Sequence, residues 1–385
     1  MLPLRNFKRF FFKTLRQPGY ALSVFLRRSM AVFSYWLTKG YSYPPESLTF
    51  FLTHRCNLRC KMCGQWGEGG VTRKEGSGAL KDELGLEFYR KLLDDLSKVD
   101  RPSITLFGGE PLLYPGCLEL IRYIKSKKMH CLMITNGSLL SDAAGAICEA
   151  GLDELNISLD GGAELHDQIR GNSGLFQKIM EGISKVNSHK ARMNRAKPLI
   201  NLQCTITKYN YQYLEQMLTV AEQARAESLT FHNLIFLDQN SLDKQKSFDA
   251  VLGLSSRDWQ GFVFEPEIDP EILHQKISLI LSSSRSFKVD FYPNFTKREL
   301  NEYYRDPCYQ PPRQNARCLS PWLVAYIFPD GSIRPCLNFG YSFGNLKENN
   351  FFAIWNSVRA RQFRMALKEN RIFPACVRCT ELYRY

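Results

Sequence analysis

The 385-residue chain lacks several features that would place it in whole classes of protein. The longest uncharged stretch near its N-terminus, residues 29–38, is about half of what spans a bilayer. No cleavable signal peptide with a small-residue cleavage site is present, so the twelve cysteines are not expected to form the disulfides of a secreted protein. These absences exclude a polytopic membrane protein and a disulfide scaffold, and they indicate a reducing compartment.

Acidic residues are also missing from residues 1–45, although the net charge of the whole chain is +13. Segment 1–46 instead combines basic with aromatic side chains. They are Arg5, Lys8, Arg9, Lys13, Arg16, Arg27, Arg28 and Lys39, interleaved with Phe7, Phe10, Phe11, Phe12, Phe25, Phe33, Tyr35 and Trp36. The segment is predicted either to lie on anionic lipid as an amphipathic helix, or to pack on the protein and show its basic face to water. Nucleic acid is not an expected partner, because the array does not continue along the chain.

Three cysteines, Cys56, Cys60 and Cys63, follow a strand-like apolar run at 47–52. Their C-x3-C-x2-C spacing offers one thiolate fewer than a closed zinc site or a fully ligated cubane cluster needs. Something else must therefore occupy the fourth position. The spacing alone leaves a zinc knuckle or a redox dithiol open.

Short apolar runs alternate with helical patterns over the first two thirds of the chain. The predicted strands are 47–52, 104–107, 131–134, 155–159, 199–205 and 229–233, and the predicted helices are 84–99, 118–127, 142–150, 175–186 and 213–224. This alternation predicts an α/β fold in which a parallel sheet curls into an open, partial (β/α)6 barrel similar to a TIM barrel.

Small and polar residues follow three of these strands, at the edge where barrel sites are built. They are Gly108, Gly109, Glu110 and Pro111 after the second strand, Asn136 and Gly137 after the third, and Ser158 and Asp160 after the fourth. Turn chemistry alone would explain the Asn-Gly and Asp-Gly pairs. Their shared position at strand ends favours a ligand site as well.

Together these residues resemble the radical S-adenosylmethionine (SAM) enzymes. The resemblance implies that Cys56, Cys60 and Cys63 hold a 4Fe-4S cluster and that SAM chelates its open iron. It implies that the segment from Gly108 to Pro111 binds the methionine amino group, with Glu110 as the acceptor. Further implied cofactor contacts are Met62, in a place where the family usually has an aromatic residue, Asn136, Ser158 and Arg170, for which a structural salt bridge is the alternative.

Four more cysteines, Cys318, Cys336, Cys376 and Cys379, occupy the C-terminal region. The first two flank a predicted hairpin with its turn at 329–331. A structural zinc site fits the spacing equally well. The region resembles the SPASM/twitch extension of radical SAM enzymes, a small domain of hairpin plus helix, and this implies an auxiliary 4Fe-4S cluster.

The remaining cysteines fall into two groups. Cys308 is a candidate substitute ligand, whereas Cys117, Cys131, Cys148 and Cys204 lie in apolar contexts and are predicted to be core residues. No catalytic acid or base is assigned. The position after the second auxiliary cysteine, where some peptide-oxidising members carry an aspartate, is Leu337.

The sequence therefore predicts four regions: the N-terminal segment 1–46, the barrel 47–240, a connecting region 241–305 and the auxiliary domain 306–385. The resemblance implies an enzyme that reductively cleaves SAM to a 5′-deoxyadenosyl radical and abstracts hydrogen from a peptide, a lipid-linked molecule or a carbohydrate. A flavodoxin or ferredoxin is the expected electron donor. The expected location is cytoplasmic, at the inner membrane face if segment 1–46 binds lipid. The alternative is a non-catalytic zinc protein at a membrane surface or nucleic acid.

Overall fold

The computed structural model describes residues 18–76, 82–313 and 316–384. The part of the basic aromatic segment at 1–17 lies outside the described residues. In the described part of the chain, one sheet of ten strands has the order β10-β9-β8-β1-β2-β3-β4-β5-β6-β7. The strands are β1 (Ser47–Phe51), β2 (Ser103–Phe107), β3 (Cys131–Thr135), β4 (Glu154–Ser158), β5 (Leu199–Thr205), β6 (Ser228–His232), β7 (Lys288–Tyr292), β8 (Val324–Ile327), β9 (Ser332–Arg334) and β10 (Gly344–Asn345).

Fourteen helices accompany these strands in the described residues. They are α1 (Pro18–Leu37), α2 (Val71–Glu75), α3 (Leu86–Val99), α4 (Cys117–Ser126), α5 (Leu140–Ala150), α6 (Ala163–Arg170), α7 (Leu175–Arg192), α8 (Gln216–Ala224), α9 (Gln239–Leu252), α10 (Pro270–Ser282), α11 (Lys297–Arg305), α12 (Ser320–Leu323), α13 (Phe351–Trp355) and α14 (Val358–Asn370). Short 3-10 helices lie at Pro111–Leu113, Arg257–Phe262, Pro374–Cys376 and Thr380–Tyr383.

The predicted open α/β barrel is confirmed. Strands β1 to β6 match the six predicted strands, and all of them pair in parallel. Alternate residues on β2, β4 and β5 are fully buried, whereas those between them are half-buried. The buried set packs under the helices, because successive side chains on a strand point to opposite faces. The half-buried set lines the inside of the barrel, which we call the lumen.

A seventh parallel strand, β7, extends the sheet beyond β6, and the sequence analysis missed it. Its sequence, Lys-Val-Asp-Phe-Tyr, places Lys288 and Asp290 among apolar residues, so it does not look like a buried strand. The region 241–305, predicted as an irregular connection, thus continues the strand-and-helix alternation through α9, α10, β7 and α11.

The predicted C-terminal hairpin is present as β8 and β9, with Tyr326 opposite Arg334. Strand β8 also pairs in parallel with β1, on the edge of β1 away from β2. The hairpin is therefore built into the barrel sheet. This pairing joins residues more than 270 positions apart, and no local pattern in the sequence reports it.

Helix α1 packs against the body through its basic face. Arg27 pairs with Asp100 at 2.5 Å and Arg28 with Glu46 at 3.1 Å. This is the reverse of the predicted packed arrangement, in which the basic face would point to water. The side chain of Lys368 on α14 also donates to the Trp36 carbonyl at 3.1 Å. Helix α1 therefore contacts both the N-terminal part of the barrel and the C-terminal helix α14. Within the described residues, no helix is long and apolar enough to cross a membrane.

Candidate cluster and cofactor site

The loop after β2 lies directly against the cysteine loop after β1. The backbone N–H of Gly109 donates to the Thr53 carbonyl at 2.8 Å, and that of Glu110 donates to the Arg55 carbonyl at 2.9 Å. A Cβ atom at Gly109 would lie 2.2 Å from the Arg55 carbonyl oxygen, which no side chain allows. Glycine at this position is thus required for the two loops to meet.

Glu110 is fully buried, and its carboxylate is surrounded by donors from its own chain. Oε1 accepts from the Thr135 hydroxyl at 2.7 Å and from the Leu112 N–H at 3.2 Å, and Oε2 accepts from the Asn136 N–H at 2.8 Å. Burial raises the pKa of Glu110, while these donors oppose the shift. The expected role of Glu110 as an acceptor for the methionine amino group stays a prediction. In the structure its side chain joins the ends of β2 and β3.

Asn136 joins the β3 end to the cysteine loop. Its Nδ2 lies 3.8 Å from Cys56 Sγ and 3.0 Å from Asn57 Oδ1, and its Oδ1 accepts from the Ser138 N–H. The side chain that sequence analysis assigned to the cofactor therefore also contacts a cysteine sulfur. An N–H aimed at sulfur stabilises a thiolate.

Arg170, at the end of α6, lies between a carboxylate and a cysteine. Its Nε donates to Asp160 Oδ2 at 2.6 Å and its Nη1 lies 3.7 Å from Cys60 Sγ. Asp160 is fully buried and also accepts from the Thr205 N–H at 3.0 Å. Arg170 thus forms the buried ion pair that was one of its two alternatives, and it also contacts a cysteine of the predicted cluster site. Its contact with the cofactor stays a prediction.

Two further predicted cofactor contacts are Ser158 and Met62. Ser158 ends β4 on the lumen side, opposite Gln203 of β5. Met62 is half-buried and packs against the hydrophobic core beside Cys63.

The structure adds contacts to this site that the sequence analysis did not identify. The backbone N–H of Trp66 donates to Cys63 Sγ at 3.3 Å, and its indole donates to the His54 carbonyl at 2.8 Å. A Cβ atom at Gly261 would lie 2.0 Å from the Gly64 carbonyl oxygen. The connecting region therefore contacts the cysteine loop. The glycines at 64 and 261 are the only sequence signal for this contact, because each lacks the side chain that would block it.

The four C-terminal cysteines lie close enough to one another for their charges to interact. Burial raises the pKa of Cys336 and Cys376 to about 12 each. It also raises the pKa of Cys318 and Cys379, and in both the negative charge of the neighbouring Cys376 adds to the shift. Thiolates gathered in such a place need a cationic partner to remain ionised.

The other cysteines behave as predicted for core residues or lie apart. Cys117, Cys131, Cys148 and Cys204 are buried in the core, whereas Cys308 is exposed. The role of Cys308 as a substitute ligand stays a prediction.

The donor sets fit iron-sulfur clusters by their chemistry. At the first site, burial raises the pKa of Cys56 to about 11, and Cys60 and Cys63 contribute further negative charge. Within the described residues, no three His, Cys, Asp or Glu side chains stand close enough to hold a single metal ion. The N–H groups of Asn136, Arg170 and Trp66 lie at the sulfur atoms of Cys56, Cys60 and Cys63, and such donors stabilise thiolate ligands.

Comparison with known families gives two matches in this chain. Residues 50–221 match the radical SAM superfamily. The protein is thus a member of that superfamily. Residues 318–380 match the SPASM domain, described as an iron-sulfur cluster-binding domain. The chain is accordingly a radical SAM enzyme with a SPASM domain.

Curated relatives share the whole arrangement at low identity. The chain is 24% identical over 350 residues to the tungsten-containing aldehyde ferredoxin oxidoreductase cofactor-modifying protein of Pyrococcus furiosus, covering 86% of this chain and 85% of that protein. It is 26% identical over 323 residues to the AdoMet-dependent heme synthase of Oleidesulfovibrio alaskensis, covering 81% and 75%. These relatives are enzymes, which sets aside the non-catalytic zinc alternative.

Solved structures share the fold. SuiB of Streptococcus suis bound to S-adenosylmethionine aligns with a TM-score of 0.57 at 13% identity, covering 84% of this chain and 68% of that one. The structure of anSMEcpe with bound AdoMet and the Cp18Cys peptide aligns with a TM-score of 0.54 at 17% identity, covering 87% and 86%.

The cofactors of the protein are thus a SAM-binding 4Fe-4S cluster, SAM itself and an auxiliary iron-sulfur cluster. When bound, the first cluster supplies the electron that cleaves SAM to a 5′-deoxyadenosyl radical.

Proposed function

We propose that Cys56, Cys60 and Cys63 hold the SAM-binding cluster and that the enzyme abstracts hydrogen from a substrate in the lumen. The observation that carries this proposal is the pair of donors at cysteine sulfurs. Asn136 Nδ2 lies 3.8 Å from Cys56 Sγ, and Arg170 Nη1 lies 3.7 Å from Cys60 Sγ. Donors to ligand sulfurs orient them and tune a cluster's reduction potential, so this environment suits a redox cluster.

SAM would contact the strand ends around this site. We infer that the segment from Gly108 to Pro111 and Ser158 approach its methionine and ribose parts, with Met62 beside its adenine. Glu110 acts here as a positioning residue, since its carboxylate holds the Thr135 hydroxyl and the Asn136 N–H in place.

The auxiliary cluster would be held by Cys318, Cys336, Cys376 and Cys379. All four are protein ligands, so this cluster has no open iron for a substrate. It would take up the electron left on the product, and a flavodoxin or ferredoxin would supply the first cluster.

The polar side chains of the lumen favour a substrate whose reacting group is polar. His232 Nε2 and Gln203 Oε1 are 2.5 Å apart, and Asn201 Nδ2 donates to Asn156 Oδ1 at 3.0 Å. Amides and an imidazole can exchange hydrogen bonds with the hydroxyl and amide groups of a substrate. We therefore propose a sugar or a peptide unit as the part that reacts.

A membrane location is supported by helix α1, which turns an apolar surface outward. We propose that the enzyme works in the cytoplasm at an anionic membrane surface and that its polar substrate is lipid-linked.

The test combines cluster content with SAM cleavage. The full chain is reconstituted anaerobically, its iron and sulfide are counted, and 5′-deoxyadenosine is measured after reduction with dithionite. Cys60→Ala should lose about half of the iron and all product, whereas Cys336→Ala should lose the other half and retain cleavage of SAM.

Cys308→Ala is the matched control, because it removes an exposed thiol that belongs to neither proposed ligand set. It should keep all iron and full product. Product at the wild-type rate from Cys60→Ala would overturn the assignment of the radical site. Extracts fractionated into lipids, peptides and aqueous metabolites then test the substrate, and a rise in 5′-deoxyadenosine confined to the peptide or aqueous fraction would contradict a lipid-linked one.

A further inference from the structure

Helix α1 carries an outward-facing apolar surface along its length. Eight apolar side chains on it are 36% to 71% exposed, and we call them the apolar face: Leu22, Phe25, Leu26, Met30, Val32, Phe33, Trp36 and Leu37. At 3.6 residues per turn these positions fall within an arc of about 160°. Ser29 is the one polar residue between them in that arc.

The opposite side of α1 is fixed to the protein. Ala31, Ser34 and Tyr35 are at most 3% exposed, and Arg27 and Arg28 pair with acidic residues of the body. A surface helix of a globular protein ordinarily directs its charges to water and its apolar stripe to the core. Helix α1 does the reverse, so its apolar face is presented to a partner.

A cationic cavity of about 290 Å³ adjoins the C-terminal end of this face. Trp36 belongs to both, and the cavity is otherwise lined by Tyr35, Arg313, Ala316, Arg317, Lys368, Glu369 and Arg371. Four cationic side chains thus stand against one carboxylate, that of Glu369.

The cations of this cavity are available to a ligand. In the described part of the chain, none of the guanidinium groups of Arg313, Arg317 and Arg371 has an acidic partner. The Arg317 guanidinium instead lies 5.1 Å from the ring centre of Trp36 and 5.6 Å from that of Tyr35. Guanidinium groups held in this way bind phosphate oxygens well.

An anionic phospholipid surface matches both features of this region, the apolar face and the cationic cavity. Its acyl layer would cover the apolar face, and its phosphates lie at the level where the arginines are. The sequence before α1 adds five basic and no acidic residues, so charge complementarity extends beyond the cavity. A protein partner would have to supply an apolar strip and an anion in the same register.

We propose that the apolar face seats the enzyme on an anionic phospholipid membrane and that the cationic cavity binds the phosphate of a lipid headgroup. This inference rests on the proposed membrane location and deepens it by naming the ligand and the residues. Arg317 directly precedes Cys318, so the headgroup would lie beside the auxiliary cysteines.

The experiment measures co-sedimentation of the reconstituted full chain with vesicles of phosphatidylcholine, alone or mixed with phosphatidylglycerol. Wild type should bind the mixed vesicles more strongly. Arg317→Glu and Arg371→Glu, made separately, should each weaken binding to the mixed vesicles by about tenfold or more and leave the weak binding to phosphatidylcholine unchanged. Phe25→Glu with Phe33→Glu should weaken binding to both.

Arg298→Glu is the matched control, because it reverses the same charge at a side chain that is exposed and distant in sequence from α1. It should bind as wild type does. Iron content is measured for every variant, and Arg371→Glu keeps the test decisive if Arg317→Glu loses its auxiliary iron.

The outcomes separate the two proposals. Full binding of Arg317→Glu and Arg371→Glu to mixed vesicles, together with loss in the apolar-face variant, would overturn the phosphate site and leave the membrane location standing. Wild-type protein that stays in the supernatant with both kinds of vesicle would overturn both, and the apolar face would then belong to a protein partner.

Discussion

Glu110 and Asp160 are two carboxylates that water does not reach, and each is surrounded by donors from a neighbouring strand end. A buried carboxylate is costly unless it is paired or hydrogen-bonded, and here the compensating donors belong to the loops around the cysteines. The geometry of the site is therefore coupled to the satisfaction of these two groups.

Replacing Glu110 tests that coupling. Glu110→Ala leaves the Thr135 hydroxyl and two backbone N–H groups without an acceptor, so we expect the free energy of unfolding to fall by about 2–3 kcal/mol. SAM affinity should fall with it, because Asn136 loses its anchor. Urea unfolding and equilibrium binding of SAM measure the two effects. Glu110→Gln keeps part of the acceptor capacity and should lose less, and equal losses in both variants would contradict this account.

Arg170 serves two groups at once, and two substitutions separate its roles. Arg170→Ala leaves Asp160 as an unpaired buried charge, which should cost about 3–5 kcal/mol of folding free energy. Arg170→Lys retains the charge but lacks the fork that reaches both Asp160 and Cys60. We expect it to fold and to shift the midpoint potential of the first cluster, measured by EPR-monitored titration. A potential identical to wild type would show that the contact with Cys60 has no electronic effect.

His166 makes the stability of the protein depend on pH. Its Nδ1 accepts from the Asp160 N–H, and burial lowers its pKa from 6.5 to about 4, with the Arg170 charge adding to the shift. A lowered folded pKa stabilises the protein above pH 6.5, and this stability is lost as pH falls toward 4. The loss should be about 1.4 kcal/mol per pH unit in that window.

The contribution of His166 is isolated by comparing wild type with His166→Gln in urea unfolding at two pH values on either side of 6.5. The variant cannot titrate at this position, so its stability should fall less steeply with acidification. Parallel slopes for the two proteins would assign the pH dependence to other groups, of which His232, with a pKa also lowered to about 4 by burial, is the first candidate.

At the scale of secondary-structure elements, local patterns predicted most of the barrel. Strands β1 to β6 are short apolar runs between helical patterns, so their existence and order could be predicted from the sequence. Strand β7 could not, because its lumen side chains Lys288 and Asp290 interrupt the apolar run. The pairing of β8 with β1 depends on register between distant segments, which local pattern does not specify.

The candidate site, too, has residues that could be predicted from the sequence and contacts that could not. The cysteines and strand-end residues were found from motifs, since each stands in a fixed spacing behind a strand. The contact of Gly261 with Gly64 was not, because it arises from packing between segments about 200 residues apart. The N–H of Trp66 at Cys63 Sγ was not either, because it depends on how the loop turns after the third cysteine, which the spacing of the cysteines does not specify. The burial of Glu110 was not predicted for a related reason, since it depends on the donors that Thr135 and Asn136 supply from the end of β3.

The contact between Gly64 and Gly261 gives an element-scale prediction. Gly261→Ala would place a Cβ atom 2.0 Å from the Gly64 carbonyl oxygen, so the cysteine loop or the 3-10 helix must shift. We expect lower iron content at the first site and a slower rate of SAM cleavage, assayed as 5′-deoxyadenosine. Gly69→Ala in the same loop meets no atom within 4 Å and should behave as wild type. Full iron and rate in Gly261→Ala would mean that the loop tolerates the shift.

Across the whole molecule, the C-terminal region holds both ends of the open sheet. Strand β8 continues the sheet from β1, while the Tyr292 hydroxyl on β7 donates to the Thr380 carbonyl at 2.8 Å, one residue from Cys379. Cys379 lies close enough to Cys318, which precedes β8, for the charge of Cys318 to raise its pKa further, so the auxiliary cysteines lie between the two ends. The auxiliary domain thus stabilises the barrel, in addition to holding the proposed auxiliary cluster.

The pairing of β8 with β1 also has a consequence for how the chain is made. Strand β1 leaves the ribosome early, whereas β8 follows roughly 270 residues later, a delay on the order of ten to fifty seconds. During this interval one edge of β1, with Leu48 and Phe50 beside it, lacks the neighbour that covers it in the finished protein. Exposed edges of this kind recruit other chains. Nascent chains of this enzyme are thus open to aggregation for most of their synthesis, and chaperones would be needed to hold β1 until its last neighbour arrives.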